Sequence, residues 1–163
     1  MLAKHHTIWG MQNIQRRRVE RAAIIAWAAN DNYTHAITLN TDRELSLARI
    51  KDICSTFCHQ FDKQVHGQRN MRCLPLDLRM RGIFFPESLS TNAHLHGAVD
   101  LSAAMRVFGN GWRLEQEVRR VWMKATRGAG SVDLKFHLDR GWFSYCTKRG
   151  HDEAFFAADF HPQ

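Results

Sequence analysis

No run in this sequence approaches the roughly 18 to 20 consecutive apolar residues that cross a bilayer, so a membrane-spanning helix is not expected. The segment from Met1 to His6 lacks the apolar stretch and small-residue cleavage site of an export signal, and a cytoplasmic protein is the expectation. Cysteine is sparse: Cys54, Cys58, Cys73 and Cys146 show no regular spacing, so reduced thiols are expected. Cys54, Cys58 and His59 fall within one helical pattern and lack a second ligand pair, which favours buried helix residues over a zinc site. No Gly-x-x-x-x-Gly-Lys-Ser/Thr phosphate loop occurs, and no helicase domain is expected. Internal repeats and low-complexity tracts are also missing, and 163 residues suit one packed core, so a single domain over 1–163 is expected. Tyrosine is limited to Tyr33 and Tyr145.

What the chain does have is positive charge. Lys and Arg exceed Asp and Glu by seven and the pI is about 9.7, a field that attracts polyanions, with nucleic acid the expected partner. Hydrophobic residues at 44% and charged residues at 24% are ordinary for a folded soluble domain.

Residues from about Gln12 to Asn30 predict a first helix, rich in alanine from Ala22 to Ala29. Arg16, Arg17, Arg18 and Arg21 crowd its early turns, where cations oppose the helix dipole. They are expected either to stay solvated or to meet phosphate, with Arg16 and Arg17 as candidate DNA contacts. Tyr33 to Asn40 is β-branched and alternating, a strand pattern. Leu45, Leu47, Ile50, Ile53, Cys54, Phe57, Cys58 and Phe61 recur at helical intervals and predict a helix from about Asp42 to Val65. Met71 to Met80 reads as an extended edge or loop around Pro75. Ile83 to Phe85 and Ala93 to Leu101 predict strands joined as a hairpin through Ser88 to Asn92. A helix over Leu114 to Ala125, a Gly-rich turn, a strand over Ser131 to Leu138 and a short helix over Trp142 to Lys148 complete the pattern. Such an order argues an α+β domain with a largely antiparallel sheet flanked by helices.

Side chains two apart on a strand point to one face, so His94 and His96 could share a cation. Glu87 ends the preceding strand, and the hairpin could bring it beside His94, giving two imidazoles and a carboxylate with open positions for a divalent metal. Tyr145 and Lys148 are three apart on the predicted last helix and therefore neighbours. A free tyrosine phenol ionises near pH ~10, so a tyrosine nucleophile needs positive charge beside it, which Lys148 could supply. Each of these short patterns alone also fits a bland reading: surface histidines, a turn glutamate, a packed aromatic beside a solvated lysine.

Their order is more informative. Ile37-Thr-Leu-Asn-Thr41, then His94-Leu-His96, then Tyr145-Cys-Thr-Lys148 resembles the three successive motifs of the HUH endonuclease superfamily, especially rolling-circle replication initiator (Rep) proteins. The match runs from Ile37 to Gly150 through strings that are individually short. The resemblance implies a central antiparallel sheet of about five strands in a sandwich with helices, His94 and His96 binding Mg2+ or Mn2+, and Tyr145 as nucleophile with Lys148 assisting. Thr38 and Asn40 match the first motif, with a structural or DNA-contacting role, and Arg149 is a further candidate for DNA contact. Glu87 stands seven residues before His94, similar to the acidic third ligand of many Rep proteins, although Ser-Leu-Ser-Thr-Asn between them lacks the usual glycines.

The implied reaction is nicking of single-stranded or hairpin origin DNA through a 5′-phosphotyrosyl link that leaves a free 3′-hydroxyl, followed by strand transfer or resealing. It needs no nucleotide cofactor, and unwinding would fall to a host helicase. Initiation of rolling-circle replication of a plasmid or phage-like element is the expected role. Conjugative relaxases usually carry their tyrosine before the histidine motif, so the order here leaves a replication initiator or a single-tyrosine transposase. A third alternative is a noncatalytic module that stacks unpaired bases on Phe84, Phe85, Trp112, Trp122 and Trp142.

Overall fold

The alternating segments become strands and the apolar-striped segments helices in a computed structural model that describes residues 18–71, 73–139, 141–148 and 153–160. Helix α1 is described over 18–29. Then follow β1 (His35–Asn40), α2 (Leu47–His66), β2 (Arg81–Glu87), β3 (His94–Asp100), α3 (Ser102–Phe108), α4 (Gly111–Ala125), β4 (Ser131–Lys135), α5 (Trp142–Cys146) and β5 (Phe155–Phe156). The strands form one antiparallel sheet in the order β4-β1-β3-β2-β5, the α+β class expected from the sequence.

Several bounds differ from expectation. Helix α2 begins at Leu47 because Ser46 caps it, its hydroxyl accepting from the Arg49 amide at 3.2 Å, while Asp42 sits at φ 54, outside helical space. Strand β4 stops at Lys135, opposite Ala36, short of the expected Leu138. The Met71 to Met80 region holds the short 3-10 turn Leu76–Leu78 in place of an edge strand. Helix α3 and strand β5 were not expected, and α5 ends at Cys146, leaving Lys148 in the following turn.

The pleat divides the sheet into two faces. On one, Ile37, Leu39, Phe84, Leu95, Val99, Val132 and Leu134 pack against Ile53, Phe57 and Phe61 of α2 and Leu114, Val118 and Trp122 of α4. This is the principal core, and truncating a fully buried ring such as Phe57 to alanine costs about 3–5 kcal/mol. Trp122 also donates its indole N–H to the Asn40 carbonyl at 2.7 Å, fixing the end of β1 against α4. Gly130 is required at the same junction: its φ is +101 and a Cβ there would stand 1.9 Å from that carbonyl oxygen. On the opposite face, Ala36, Ile83, Phe85 and Ala98 pack under Ala28 of α1 and Trp142, Phe143 and Cys146 of α5. Cys54 and Cys58 are buried in α2, as expected. No helix among the described residues is long and apolar enough to cross a membrane.

Candidate metal centre and nucleophile

The second face carries the histidines. In the sheet register Glu87 lies directly opposite His94, and His96 lies between Thr38 of β1 and Phe85 of β2. The Ser88 to Asn92 turn, with Ser88 at φ 55, closes this hairpin. One donor atom from each of Glu87, His94 and His96 lies within 4.8 Å of the other two, a group that could hold a metal ion. Glu87 and His96 are buried and His94 is half-buried.

The surrounding hydrogen bonds suit metal binding. His94 Nδ1 lies 2.8 Å from the Asn92 carbonyl, which only accepts, so Nδ1 is the donor and Nε2 is the nitrogen left to ligate a metal. His96 Nδ1 lies 3.1 Å from the Thr38 hydroxyl, and its Nε2 faces Glu87 Oε2 at 3.3 Å. Each imidazole is thus oriented by a contact at the nitrogen turned away from the cluster, as ligating histidines are. Two imidazoles and one carboxylate form an open donor set, compatible with a divalent ion that retains positions for other oxygen ligands.

Tyr145 stands beside this group. Its ring centroid is 4.9 Å from that of His96 in an edge-on contact, and it stacks on Trp142 at 5.6 Å. The Lys148 ammonium lies 3.6 Å from the Tyr145 ring centroid and 3.9 Å from Glu87 Oε1, touching nucleophile candidate and ligand candidate together. Lys148 reaches this position from the turn after α5, where its amide donates to the Tyr145 carbonyl at 3.1 Å.

Residues on other elements secure α5. The Trp142 indole donates to the Gly97 carbonyl at 2.8 Å, tying α5 to the strand that bears both histidines. A Cβ on Gly97 would meet the Phe84 ring at 2.7 Å and the Ile83 carbonyl at 2.8 Å, so the His94-Leu-His-Gly segment needs its glycine for close packing. Arg21 of α1 donates from Nε to the Thr147 hydroxyl at 2.9 Å and from Nη2 to the Ser144 carbonyl at 2.8 Å. Its place in a basic helix gave no sign of this two-point contact.

The remaining sequence candidates divide. Thr38 is part of the site through His96, whereas the Asn40 side chain accepts from the Asp42 amide at 3.1 Å and shapes the turn after β1. Arg16, Arg17 and Arg149 lie outside the described residues. Tyr33 is half-buried, and burial followed by the neighbouring Asp31 charge pushes its phenol above the ordinary tyrosine range, which disfavours a phenolate there. Of the five aromatics considered as a stacking surface, Phe84, Phe85, Trp122 and Trp142 are buried, and Trp112 is exposed at the start of α4. They do not make one open platform. Against family models, curated proteins and solved structures alike, the chain finds no match.

Proposed function

We propose that this protein is a metal-dependent, single-tyrosine nuclease that nicks single-stranded DNA and transfers the cut strand, in the manner of rolling-circle replication initiators. The observation that carries the reading is the meeting of Tyr145, Lys148, Thr38 and the Glu87–His94–His96 group, which gathers side chains of all three sequence motifs over one face of the sheet. Their order along the chain, which resembles that of HUH endonucleases, and the basic pI of about 9.7 support it further.

Glu87, His94 and His96 would hold Mg2+ or Mn2+, and the bound ion supplies Lewis-acid polarisation of a phosphate oxygen. Tyr145 provides the attacking oxygen: a bond forms from its Oη to phosphorus, the bond from phosphorus to the 3′-oxygen breaks, and the phenolic proton is released. The departing 3′-oxygen takes up a proton and becomes a hydroxyl. Lys148, whose ammonium already faces the ring, stabilises the negative charge that develops on the attacking oxygen and the phosphate. Trp142 and Arg21 hold the helix that presents the nucleophile. Strand transfer runs the same displacement in reverse, with an incoming 3′-hydroxyl as attacking group.

The test is formation of a denaturant-resistant protein–DNA adduct on a broad pool of single-stranded oligonucleotides with Mn2+. The wild type is expected to form it and Tyr145→Phe to fail. An adduct that persists in Tyr145→Phe, or a wild type that never forms one, overturns the reading.

A further inference from the structure

The sheet face that bears the histidines continues past Thr38 onto the edge strand β4. Thr38 pairs with Asp133, and Ala36 with Lys135, across that boundary. These residues, the β4–α5 loop at Asp139, and Trp142 and Tyr145 line a groove of about 480 Å³. That volume falls within the roughly 300–1,000 Å³ typical of small-ligand sites. Tyr145 therefore borders both the histidine cluster and the groove. The wall is aromatic, with Tyr145 as its exposed ring stacked on the largely buried Trp142, and Lys135 Nζ lies 5.8 Å from the Trp142 ring centroid.

Charge indicates what the groove admits. A chain with formal net charge +7 draws in a polyanion, yet the groove beside its candidate nucleophile sets two carboxylates, Asp133 and Asp139, against the single ammonium of Lys135, with His137 completing the polar lining. Ionised carboxylates repel phosphate and only accept hydrogen bonds. With carboxylates outnumbering the ammonium, the groove is a poorer seat for the sugar-phosphate backbone than for a neutral nucleobase, which suits both parts of the lining: an apolar ring for the aromatic wall, and amino hydrogens for a carboxylate. Asp139 is fixed in its loop by Oδ1, which accepts from the Gly141 amide at 2.6 Å, whereas Asp133 stands exposed on the sheet floor and is the carboxylate assigned as the reader.

We propose that this groove is a nucleobase subsite in which Asp133 selects an amino-bearing base over thymine at a nucleotide adjoining the scissile phosphate. The proposal rests on the reading of Tyr145 as a nucleophile on single-stranded DNA. Thymine is discriminated against because its pairing edge sets two carbonyl oxygens around a single N–H, and those oxygens would face the carboxylate.

The test compares fluorescein-labelled oligodeoxycytidine and oligodeoxythymidine of equal length by fluorescence anisotropy in EDTA, so that no turnover occurs. Homopolymers place the same base in every register, which removes the need to know a recognition sequence. Wild-type protein is expected to bind the cytidine tract about tenfold more tightly, at the low end of a specific base contact. Asp133→Asn is expected to bring that ratio near unity, because an amide can turn to serve either base. The ratio is the readout, since loss of one negative charge strengthens binding to both tracts. Equal affinities in the wild type, an unchanged ratio in Asp133→Asn, or binding to neither tract overturns the subsite. Adduct formation on the oligonucleotide pool with Mn2+ is scored separately on the same preparations. Adducts with a flat ratio remove the subsite and leave the nuclease standing; an Asp133-dependent ratio without adducts supports the base-reading groove and counts against Tyr145 as nucleophile.

Discussion

His96 is held by the Thr38 hydroxyl, the Glu87 carboxylate and edge-to-face contacts with the Tyr145 and Trp142 rings. Orientation of a ligating imidazole through its distal nitrogen contributes to metal affinity, so Thr38→Val is expected to weaken Mn2+ binding about 10- to 100-fold by calorimetry with the far-ultraviolet circular dichroism unchanged. Lys148→Met removes the cation beside the ring and is expected to slow adduct formation on the order of 10²-fold, while affinity for single-stranded DNA changes far less. That split would be read from adduct kinetics alongside anisotropy. The histidines and Glu87 were legible in the sequence because strand alternation fixes which side chains share a face, and the hairpin length brought Glu87 opposite His94. The Thr38–His96 contact was not legible as such. It depends on the pairing register of β1 with β3, strands separated by the whole of α2 and β2.

The element that presents Tyr145, the proposed nucleophile, has little stability of its own. Helix α5 has five residues, too short to persist without tertiary support, and its position depends on Trp142 and Arg21. Arg21→Ala is expected to speed amide hydrogen exchange across α5 and to lower the rate of adduct formation without weakening Mn2+ binding. Arg21→Lys should not rescue either readout, since one ammonium cannot reproduce a planar two-point contact. Faster exchange spread over the whole sheet would instead assign Arg21 a role in global stability. Long periodic elements such as α2 and α4 declared themselves in the sequence through their apolar stripes. Helix α3, with seven residues, and β5, with two, carry too few repeats for a period to emerge, and β5 exists only because Phe155 and Phe156 find Phe84 and Ile83 across the sheet edge.

At the scale of the molecule, the sheet separates the principal core on one face from a smaller core and the candidate site on the other, and the principal core's helix α2 carries its own pH dependence. Asp62 of α2 is buried and accepts from the Met80 amide at 2.8 Å. Burial, opposed by that hydrogen bond and by His66 and Arg79, raises its carboxyl from 3.8 to about 6. The folded state therefore holds this proton more tightly than the unfolded chain. The contribution of Asp62 to stability is most favourable below pH 4, falls as pH rises from about 4 to 6, and stays low above that. Asp62→Asn keeps an acceptor for Met80 and is expected to stabilise the protein at pH 7 by on the order of 1–3 kcal/mol, with little effect at pH 4, in urea denaturation at the two pH values. The α+β antiparallel architecture could be anticipated from alternation alone, but the strand order and the groove beside β4 could not, because both arise from which strands meet.

The nuclease proposal depends on which atom takes the DNA, and the most direct measurement is to digest the protein–DNA adduct with protease and nuclease and locate the residual nucleotide by mass spectrometry. A 5′-phosphate-linked nucleotide on the Tyr145 side chain is the predicted result. The same modification on Tyr33 or any other residue, with Tyr145 unmodified, would contradict it.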